Sequence, residues 1–271
     1  MRIREALADA ARRLGAVSDT PRLDAELLMA HALGLARDAL LLGGDGEVGD
    51  GFESLLQRRL QHEPVSQITG RRGFWKVELE VTPDVLTPRP ETELLLEAAV
   101  THFGARGPGR VLDLGTGSGA LLLAALAEWP GATGVGVDRS PEALAVAARN
   151  AYRLGLAERA SLRLGDWGEG LRERFDLVLS NPPYIEADTD LPPDVARYEP
   201  HGALFAGADG LDDHRKLAAR IGNLLAPGAL AALEFGFGQG AAVLELYAGV
   251  GRSRALRRDL AGHERAVVIT S

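Results

Sequence analysis

The chain has 271 residues, of which 46% are hydrophobic and 25% charged, proportions typical of a globular protein with room for one large and one small domain. It contains no cysteine, which excludes disulfides and thiolate metal sites and is typical of a cytosolic protein. The net charge of −8 argues against broad binding to a phosphate backbone, because nonspecific nucleic-acid affinity comes mainly from clustered Lys and Arg.

Residues 1–70 predict a small bundle of short amphipathic helices. Apolar residues recur at helical spacing in residues 3–14 and again in residues 23–29, after a proline start signal. Because the first of these runs carries acidic residues among its apolar ones, we expect a helix there rather than a signal peptide. The glycine-rich residues 43–51 predict a turn. No uncharged apolar run is long enough to cross a membrane, so we expect no membrane span. The lack of cysteine then makes the cytoplasm the predicted location.

The rest of the chain predicts an α/β domain. Residues 71–86 alternate apolar and polar side chains, which predicts a β-hairpin linker. Within residues 87–271, a helix starts at Pro90, and from about residue 109 strand-like and helix-like segments alternate. That rhythm favours a mostly parallel sheet with helices on both faces. The last two strand-like runs have no helix between them, so the sheet should end in an antiparallel hairpin.

A glycine-rich segment, residues 115–119 (the glycine loop), follows the first strand of the alternating region. Gly115, Gly117 and Gly119 stand between that strand and a helix, where glycines let the backbone turn sharply and approach a ligand closely. Asp138 closes the next strand, 19 residues after Gly119, where a carboxylate can bind both hydroxyls of a ribose. By itself this pattern also matches a dinucleotide-binding loop or a tight structural turn.

Thr116 and Ser118 are the other two residues of the glycine loop. Two details favour S-adenosylmethionine as the ligand of this loop. Asp113 precedes the first glycine by two residues, where its carboxylate would repel a pyrophosphate but hold an ammonium group. No Lys-Ser/Thr pair follows the glycines, which excludes a nucleotide P-loop. A ligand with ribose hydroxyls, an amino-acid ammonium and no phosphate is S-adenosylmethionine. Asp166 and Trp167, after the third strand, can recognise the adenine amine and stack on its ring.

The fourth strand ends in Asn181-Pro182-Pro183-Tyr184, and two consecutive prolines prevent a helix or a central strand from continuing there. Because the carboxyl ends of parallel strands meet at one edge, we expect Asn181 to lie beside the glycine loop and Asp138. The side-chain carbonyl of Asn181 and the main-chain carbonyl of Pro182 offer two fixed acceptors for a planar NH2 group, and Tyr184 offers it a flat face. The motif predicts catalysis by orientation and electrostatics, without a strong general base. The alternative is an ordinary proline-stiffened strand exit.

With DLGTGSG, Asp138, GDW and NPPY in this order, the chain resembles the class I S-adenosylmethionine-dependent methyltransferases that modify planar amino groups. Residues 63–93 and the stretches RYEPHGALFAGADGL, LEFGFGQG and RDLAGHERAV further resemble the HemK/PrmC family, whose members methylate N5 of a glutamine in peptide chain release factors. The resemblance covers nearly the whole chain. It implies a Rossmann-like, seven-stranded, mostly parallel sheet, an antiparallel C-terminal hairpin and a helical N-terminal bundle.

Carried over residue by residue, the resemblance implies that residues 115–119 bind the cofactor, Asp138 its ribose and Trp167 its adenine side. Asn181 to Tyr184 would hold the substrate glutamine, with Asn181 also beside the cofactor. The mouth of the site would be lined by Phe74, Thr87, Pro88, Arg89, Pro90 and Glu91, with Phe74 and Arg89 on the substrate side. Arg89 would pair with a carboxylate of the cofactor or with a nearby glutamate, unless it forms only a surface salt bridge.

The leading hypothesis is therefore a glutamine N5-methyltransferase that acts on the Gly-Gly-Gln loop of release factors and recognises them partly through its N-terminal bundle. One alternative is a ribosomal-protein glutamine N5-methyltransferase, which would share every motif. Another is an adenine-N6 methyltransferase of DNA or RNA, which the acidic charge disfavours. A non-enzymatic dinucleotide sensor or adaptor is the most distant. We expect no membrane contact, no direct nucleic-acid contact and no metal, since the six histidines show no ligand spacing.

Overall fold

The structure, a computed structural model, describes residues 2–43 and 46–271. Contacts group the chain into two compact units, one of Met1–Arg71 with Leu191–Tyr198 and one of Arg72–Asp190 with Glu199–Ser271. Residues 44 and 45 of the predicted turn lie outside the described residues. Among the described residues, no helix combines the length and the apolar character that a membrane crossing requires.

The elements are numbered in chain order. The helices are α1 (Ile3–Leu14), α2 (Pro21–Leu33), α3 (Arg37–Leu42), α4 (Phe52–Leu60), α5 (Val65–Thr69), α6 (Glu93–Phe103), α7 (Ala120–Glu128), α8 (Pro141–Arg153), α9 (Pro193–Tyr198), α10 (Asp212–Leu224) and α11 (Gly240–Leu246). The strands are β1 (Arg71–Phe74), β2 (Val77–Glu80), β3 (Arg110–Leu114), β4 (Thr133–Asp138), β5 (Ala160–Leu164), β6 (Phe175–Ser180), β7 (Leu225–Glu234), β8 (Ser253–Arg258) and β9 (Glu264–Thr270).

The first unit is a helical bundle whose apolar stripes meet in one core. Leu14 of α1, Leu28 of α2 and Leu56 of α4 are all buried in the same cluster, as their helical spacing predicts. A buried ion pair accompanies this core, in which Arg59 Nε lies 2.8 Å from Asp24 Oδ2. Because removing one partner of such a pair leaves the other charge buried without a counter-charge, this contact is important for the stability of the bundle.

The second unit is built on a seven-stranded sheet with the order β5-β4-β3-β6-β7-β9-β8, beside a separate two-stranded sheet of β1 and β2. The first five strands of the large sheet run parallel, whereas β9 pairs antiparallel with both β7 and β8. This arrangement confirms the predicted fold class, a mostly parallel sheet that ends in an antiparallel C-terminal hairpin.

The apolar run of β6 is explained by helices on both faces of the sheet. Leu177 and Leu179 are buried in the cluster that contains α6 and α7, while Val178 is buried in the cluster that contains α10 and α11. The carboxyl ends of three strands are aligned, because Leu114 at the end of β3 pairs with Val137 and with Ser180. The carboxyl ends of β3, β4 and β6 therefore lie side by side, which sets the position of the site.

Three details differ from the sequence expectations. Pro90 starts a 3-10 turn, residues 90–92, and the α-helix begins only at Glu93. The strand-like run GALAALEFG predicts a strand from Gly228, whereas β7 begins at Leu225, which already pairs with Phe175. Helix α9 was not predicted, since six residues are too few to show a helical period.

Candidate active site

A cavity lies at the carboxyl edge of the large sheet, with an empty volume of about 1090 Å³ that includes its open mouth. It brings together most of the residues predicted for the site, namely Arg89, Asp113, Gly115, Thr116, Gly117, Ser118, Asp138, Asp166, Trp167, Asn181 and Pro183. Of the described residues predicted for the site or its mouth, the following do not line the cavity: Phe74, Thr87, Pro90, Glu91, Gly119, Pro182 and Tyr184.

The glycine loop needs glycine for both conformation and space. Gly115 and Gly119 have φ angles of 73° and 84°, in the left-handed region that side chains other than glycine rarely adopt. A Cβ on Gly115 would lie 3.1 Å from the Trp167 ring, and one on Gly119 would lie 2.9 Å from Leu123. The loop therefore passes close to its neighbours and carries the chain directly from β3 into α7.

Asp113 is a buried carboxylate with one unused oxygen. Its Oδ2 accepts hydrogen bonds from Thr116 Oγ1 at 2.7 Å and from the Leu122 N–H at 3.2 Å. Its Oδ1 is also buried and accepts none from a described residue. Burial, aided by the negative charge of Asp138, raises the pKa of Asp113 to about 7. A cation in the cavity would offset that burial, so Oδ1 fits the ammonium group of S-adenosylmethionine.

Asp138 fixes the loop and still has capacity to bind a ligand. Its Oδ2 accepts the Gly117 N–H at 2.8 Å, and its Oδ1 accepts the Ser140 N–H at 3.0 Å. Each carboxylate oxygen has a second lone pair, so both can also accept a hydroxyl. The arrangement suits a ribose with two adjacent hydroxyl groups.

Trp167 and Asp166 form another wall of the cavity. Trp167 is only 7% exposed, has a positive φ of 44°, and donates from Nε1 to Asp213 Oδ1 at 2.9 Å. Its indole is thus fixed against Gly115. The Asp166 side chain stays 45% exposed, and its Oδ2 lies 3.8 Å from Nη1 of Arg220. An immobile ring and an accessible carboxylate fit the predicted adenine contacts.

Asn181 stands directly after β6, at the cavity edge. The preceding Ser180 donates from Oγ to the Leu114 carbonyl at 2.7 Å, which holds the strand end against β3. Asn181 Nδ2 donates to Thr92 Oγ1 at 3.0 Å. No described residue donates to Asn181 Oδ1 or to the Pro182 carbonyl oxygen. Both oxygens remain available as acceptors.

Tyr184 is held at its main chain and at its hydroxyl. Gln239 donates from Nε2 to the Tyr184 carbonyl at 3.0 Å, while its Oε1 accepts the Gly236 N–H at 2.8 Å. The Tyr184 hydroxyl donates to Glu234 Oε1 at 3.2 Å, and burial together with the Glu234 charge raises the pKa of Tyr184. The turn after the two prolines is therefore fixed from two sides.

Sequence reasoning missed two residues beside Asn181. Glu234 is 2% exposed, Thr92 is 4% exposed, and Thr92 Oγ1 lies 2.6 Å from Glu234 Oε2. Burial raises the pKa of Glu234 to about 7, against the effect of the hydrogen bonds from Thr92 and Tyr184. A signal was present for Glu234, because it ends β7 at the same sheet edge as Asn181. Thr92 carried no comparable signal.

Arg89 and Phe74, also predicted for the substrate side, lie in different places: Arg89 lines the cavity and Phe74 does not. Arg89 Nη2 lies 2.6 Å from Glu199 Oε2, so the partner of Arg89 here is a glutamate. Phe74 is 2% exposed and packs in the hydrophobic core. It is the buried last residue of β1, and this burial removes it from the cavity. The structure thus does not bring Phe74 to the site. In the part of the chain that the structure describes, no group of three His, Cys, Asp or Glu side chains could hold a metal.

Two family models match the chain. Residues 5–70 match the PrmC N-terminal domain, and residues 107–212 match a methyltransferase domain. The second match contains the glycine loop, Asp138 and the residues from Asn181 to Tyr184.

Curated proteins match over almost the whole chain. A release factor glutamine methyltransferase from Rhodospirillum rubrum is 48% identical over 92% of this chain and 79% of its own length. A protein of the same name from Cereibacter sphaeroides is 46% identical over 98% of both chains. Among solved structures, a methyltransferase from Pyrococcus furiosus shares the fold with a TM-score of 0.52 and 18% identity, covering 80% of this chain and 98% of that one.

Proposed function

The chain belongs to the release factor glutamine methyltransferase family, and we propose that it methylates N5 of the glutamine in the Gly-Gly-Gln loop of peptide chain release factors. It is an S-adenosylmethionine-dependent enzyme, and S-adenosylhomocysteine is the second product. The observation that carries the proposal is a pair of acceptors that no described residue uses: Asn181 Oδ1, on a residue that lines the cofactor cavity, and the carbonyl oxygen of Pro182, the residue that follows it.

These acceptors address the difficulty of the reaction. The lone pair of an amide nitrogen is delocalised into its carbonyl, which makes the nitrogen a weak nucleophile. Two acceptors that bind both N–H groups favour a pyramidal nitrogen with its lone pair directed at the methyl donor. Positive charge develops on that nitrogen, and Asn181 Oδ1 and the Pro182 oxygen stabilise it because their dipoles are already oriented.

The remaining residues hold the cofactor in place. When bound, S-adenosylmethionine supplies the sulfonium methyl group, so one N–C bond forms as one S–C bond breaks. Asp113 Oδ1 would hold its ammonium, Asp138 its ribose, and Asp166 with Trp167 its adenine. The nitrogen loses one proton after the transfer, and because the cavity is open this proton can pass to solvent.

The roles of the separate regions belong to the same proposal. Residues 1–70 recognise the protein substrate, residues 71–86 serve as a linker, and residues 87–271 carry out the transfer. Four leucines are exposed on the helical unit, which supports a protein-binding role: Leu23, Leu35, Leu41 and Leu42. The reaction takes place in the cytoplasm, with a release factor as the macromolecular partner and without membrane or direct nucleic-acid contact.

A labelling experiment tests the proposal. The purified protein is incubated with methyl-labelled S-adenosylmethionine and a release factor, in parallel with the Gln→Ala variant of the Gly-Gly-Gln loop. We expect label only in the unchanged factor, and peptide mass spectrometry should place one added methyl group on that glutamine. Equal labelling of both factors would refute the proposal, as would labelling of a ribosomal protein or of DNA but not of the release factor.

A further inference from the structure

A short hydrogen-bonded chain leads from a buried carboxylate to the catalytic asparagine. Glu234 Oε2 accepts from Thr92 Oγ1 at 2.6 Å, and Thr92 Oγ1 in turn lies 3.0 Å from the Asn181 amide. The other oxygen of Glu234 accepts from the Tyr184 hydroxyl at 3.2 Å. Thr92 and Glu234 are 4% and 2% exposed, so water does not compete for these contacts.

The direction of each hydrogen bond follows from the number of available protons. An ionised carboxylate only accepts, so Thr92 must donate its single hydroxyl hydrogen to Glu234. The Thr92 oxygen can then only accept from Asn181. The group of Asn181 that faces Thr92 must therefore be the NH2 group, and the carbonyl oxygen Oδ1 must face away.

We propose that Glu234, acting through Thr92, is a positioning residue that fixes the Asn181 amide with its carbonyl oxygen toward the substrate amide. This inference rests on the proposed function, since it assigns the task of that oxygen. A flipped Asn181 would have nearly the same shape but would present an NH2 group to the NH2 group of the substrate. Two donors would then face each other and the acceptor pair would be lost.

The chain of hydrogen bonds depends on the charge of Glu234. A protonated Glu234 can donate to Thr92, which frees the Thr92 hydrogen to bind Asn181 Oδ1 and so favours the flipped amide. Burial keeps the pKa of Glu234 at about 7. The charged or titratable groups that face it are Glu91 before α6, Arg265 on β9 and Tyr184 after β6, and His214 of α10 faces its main chain. The productive orientation is therefore lost as the pH falls through about 7.

Steady-state kinetics at saturating cofactor test the consequence for turnover. We expect Thr92→Val, which has the same shape but no hydroxyl, to lower kcat roughly tenfold or more, the loss typical of one hydrogen bond to a catalytic group. Thr92→Ser should stay within about threefold of the wild type, because it restores the hydroxyl. The matched control is Thr101→Val, whose hydroxyl donates to the Glu97 carbonyl within α6. Unchanged kcat in Thr92→Val, or equal losses in the Val and Ser variants, would overturn the proposal.

The dependence of kcat on pH distinguishes a positioning role of Glu234 from a merely structural one, which would not change it. For a group that must be ionised with a pKa near 7, wild-type kcat should fall about tenfold between pH 8 and pH 6. Glu234→Gln should have a low kcat that is flat over this range, since it has no proton to gain. Glu128→Gln, a control on a carboxylate that binds Trp75 and Lys76, should keep the wild-type profile. A Glu234→Gln enzyme with the wild-type slope would contradict the proposal.

The orientation itself can be observed without any turnover. The chain has only three asparagines, Asn150, Asn181 and Asn223, so asparagine labelled with 15N gives three side-chain NH2 groups in the NMR spectrum. We expect the Asn181 signals to shift between pH 6 and pH 8 in the wild type but not in Glu234→Gln. The Asn150 signals, whose NH2 group donates to main-chain carbonyls, should stay constant in both. If the Asn181 signals of the wild type do not shift between pH 6 and pH 8, the inference is refuted even if the enzyme methylates release factors. Failure to methylate them refutes the proposed function instead.

Discussion

The buried Asp113 predicts that cofactor affinity depends on pH in a defined direction. Its pKa of about 7 lies well above the ordinary value because the cavity buries the carboxylate. Only the ionised form can pair with the ammonium of the cofactor, whose own pKa near 8 keeps it charged below neutrality. Affinity should therefore fall as the pH is lowered from 7.

The magnitude follows from the ionised fraction. For a pKa of 7, that fraction is about one half at pH 7 and about 3% at pH 5.5, so the Kd should rise about fifteenfold, or about 1.6 kcal/mol. Asp113→Asn keeps an acceptor for the Thr116 hydroxyl but presents no negative charge to the ammonium. We expect its Kd at pH 7 to be about 10- to 100-fold higher and nearly independent of pH, since a hydrogen bond to a charged group contributes about 1.5–3 kcal/mol.

Isothermal titration calorimetry with S-adenosylmethionine, in two buffers of different ionisation enthalpy, measures both the Kd and the proton released on binding. Asp176→Asn is the control, because its carboxylate caps the start of β3 and should leave the pH dependence unchanged.

The raised pKa of Asp113 also affects the stability of the fold. A carboxyl pKa raised in the folded state means that stability without cofactor decreases as the pH rises from about 4 to 7. The increase in Tm on adding cofactor should thus be larger at pH 7 than at pH 5.5. A wild-type Kd that is constant over this range would refute the role of Asp113.

The remaining predictions separate binding, turnover and folding. Asn181→Ala should abolish detectable methyl transfer yet leave the cofactor Kd within about threefold, whereas Asp138→Ala should raise the Kd at least about tenfold, because it loses the ribose acceptors and the loop contacts. Calorimetry beside the methylation assay tests the pair, and equal losses of both properties in both variants would contradict it. Gly115→Ala should lower the free energy of unfolding by about 1–2 kcal/mol through its positive φ and the nearby indole, as urea denaturation would measure. Cofactor affinity should fall with it, and a fully stable variant would argue against a strained loop. Asp24→Ala should destabilise the helical unit by about 3–5 kcal/mol, because it leaves Arg59 buried without its partner. Circular dichroism during heating measures this effect, and an unchanged Tm would show that the ion pair contributes nothing.

The sequence predicted the fold because strand and helix periods alternate plainly from residue 109 onward. Glycine spacing and the two prolines marked the loop and the strand exit, since these residues restrict or free the backbone regardless of their surroundings. Because carboxyl ends of parallel strands meet at one edge, residues as far apart as Asp113 and Asn181 could be assigned to one site. The assignment of individual contacts to cofactor and substrate stays a prediction, although one cavity contains most of these residues.

Burial and hydrogen-bond direction were decided only by the tertiary structure. The family resemblance implied a substrate contact for Phe74, but at the end of β1 its side chain is buried in the core. In sequence, Glu234 is simply the last residue of a strand. In the structure it is buried, which raises its pKa, and its carboxylate accepts hydrogen bonds from Thr92 and Tyr184. Local sequence patterns indicate backbone preferences, but they do not indicate which side chains that are distant in sequence form hydrogen bonds with each other. The sequence of this protein thus predicted where the site lies, because strand ends and glycines mark it locally. Only the tertiary structure brings Thr92 and Glu234 to Asn181, the contacts from which its orientation is inferred.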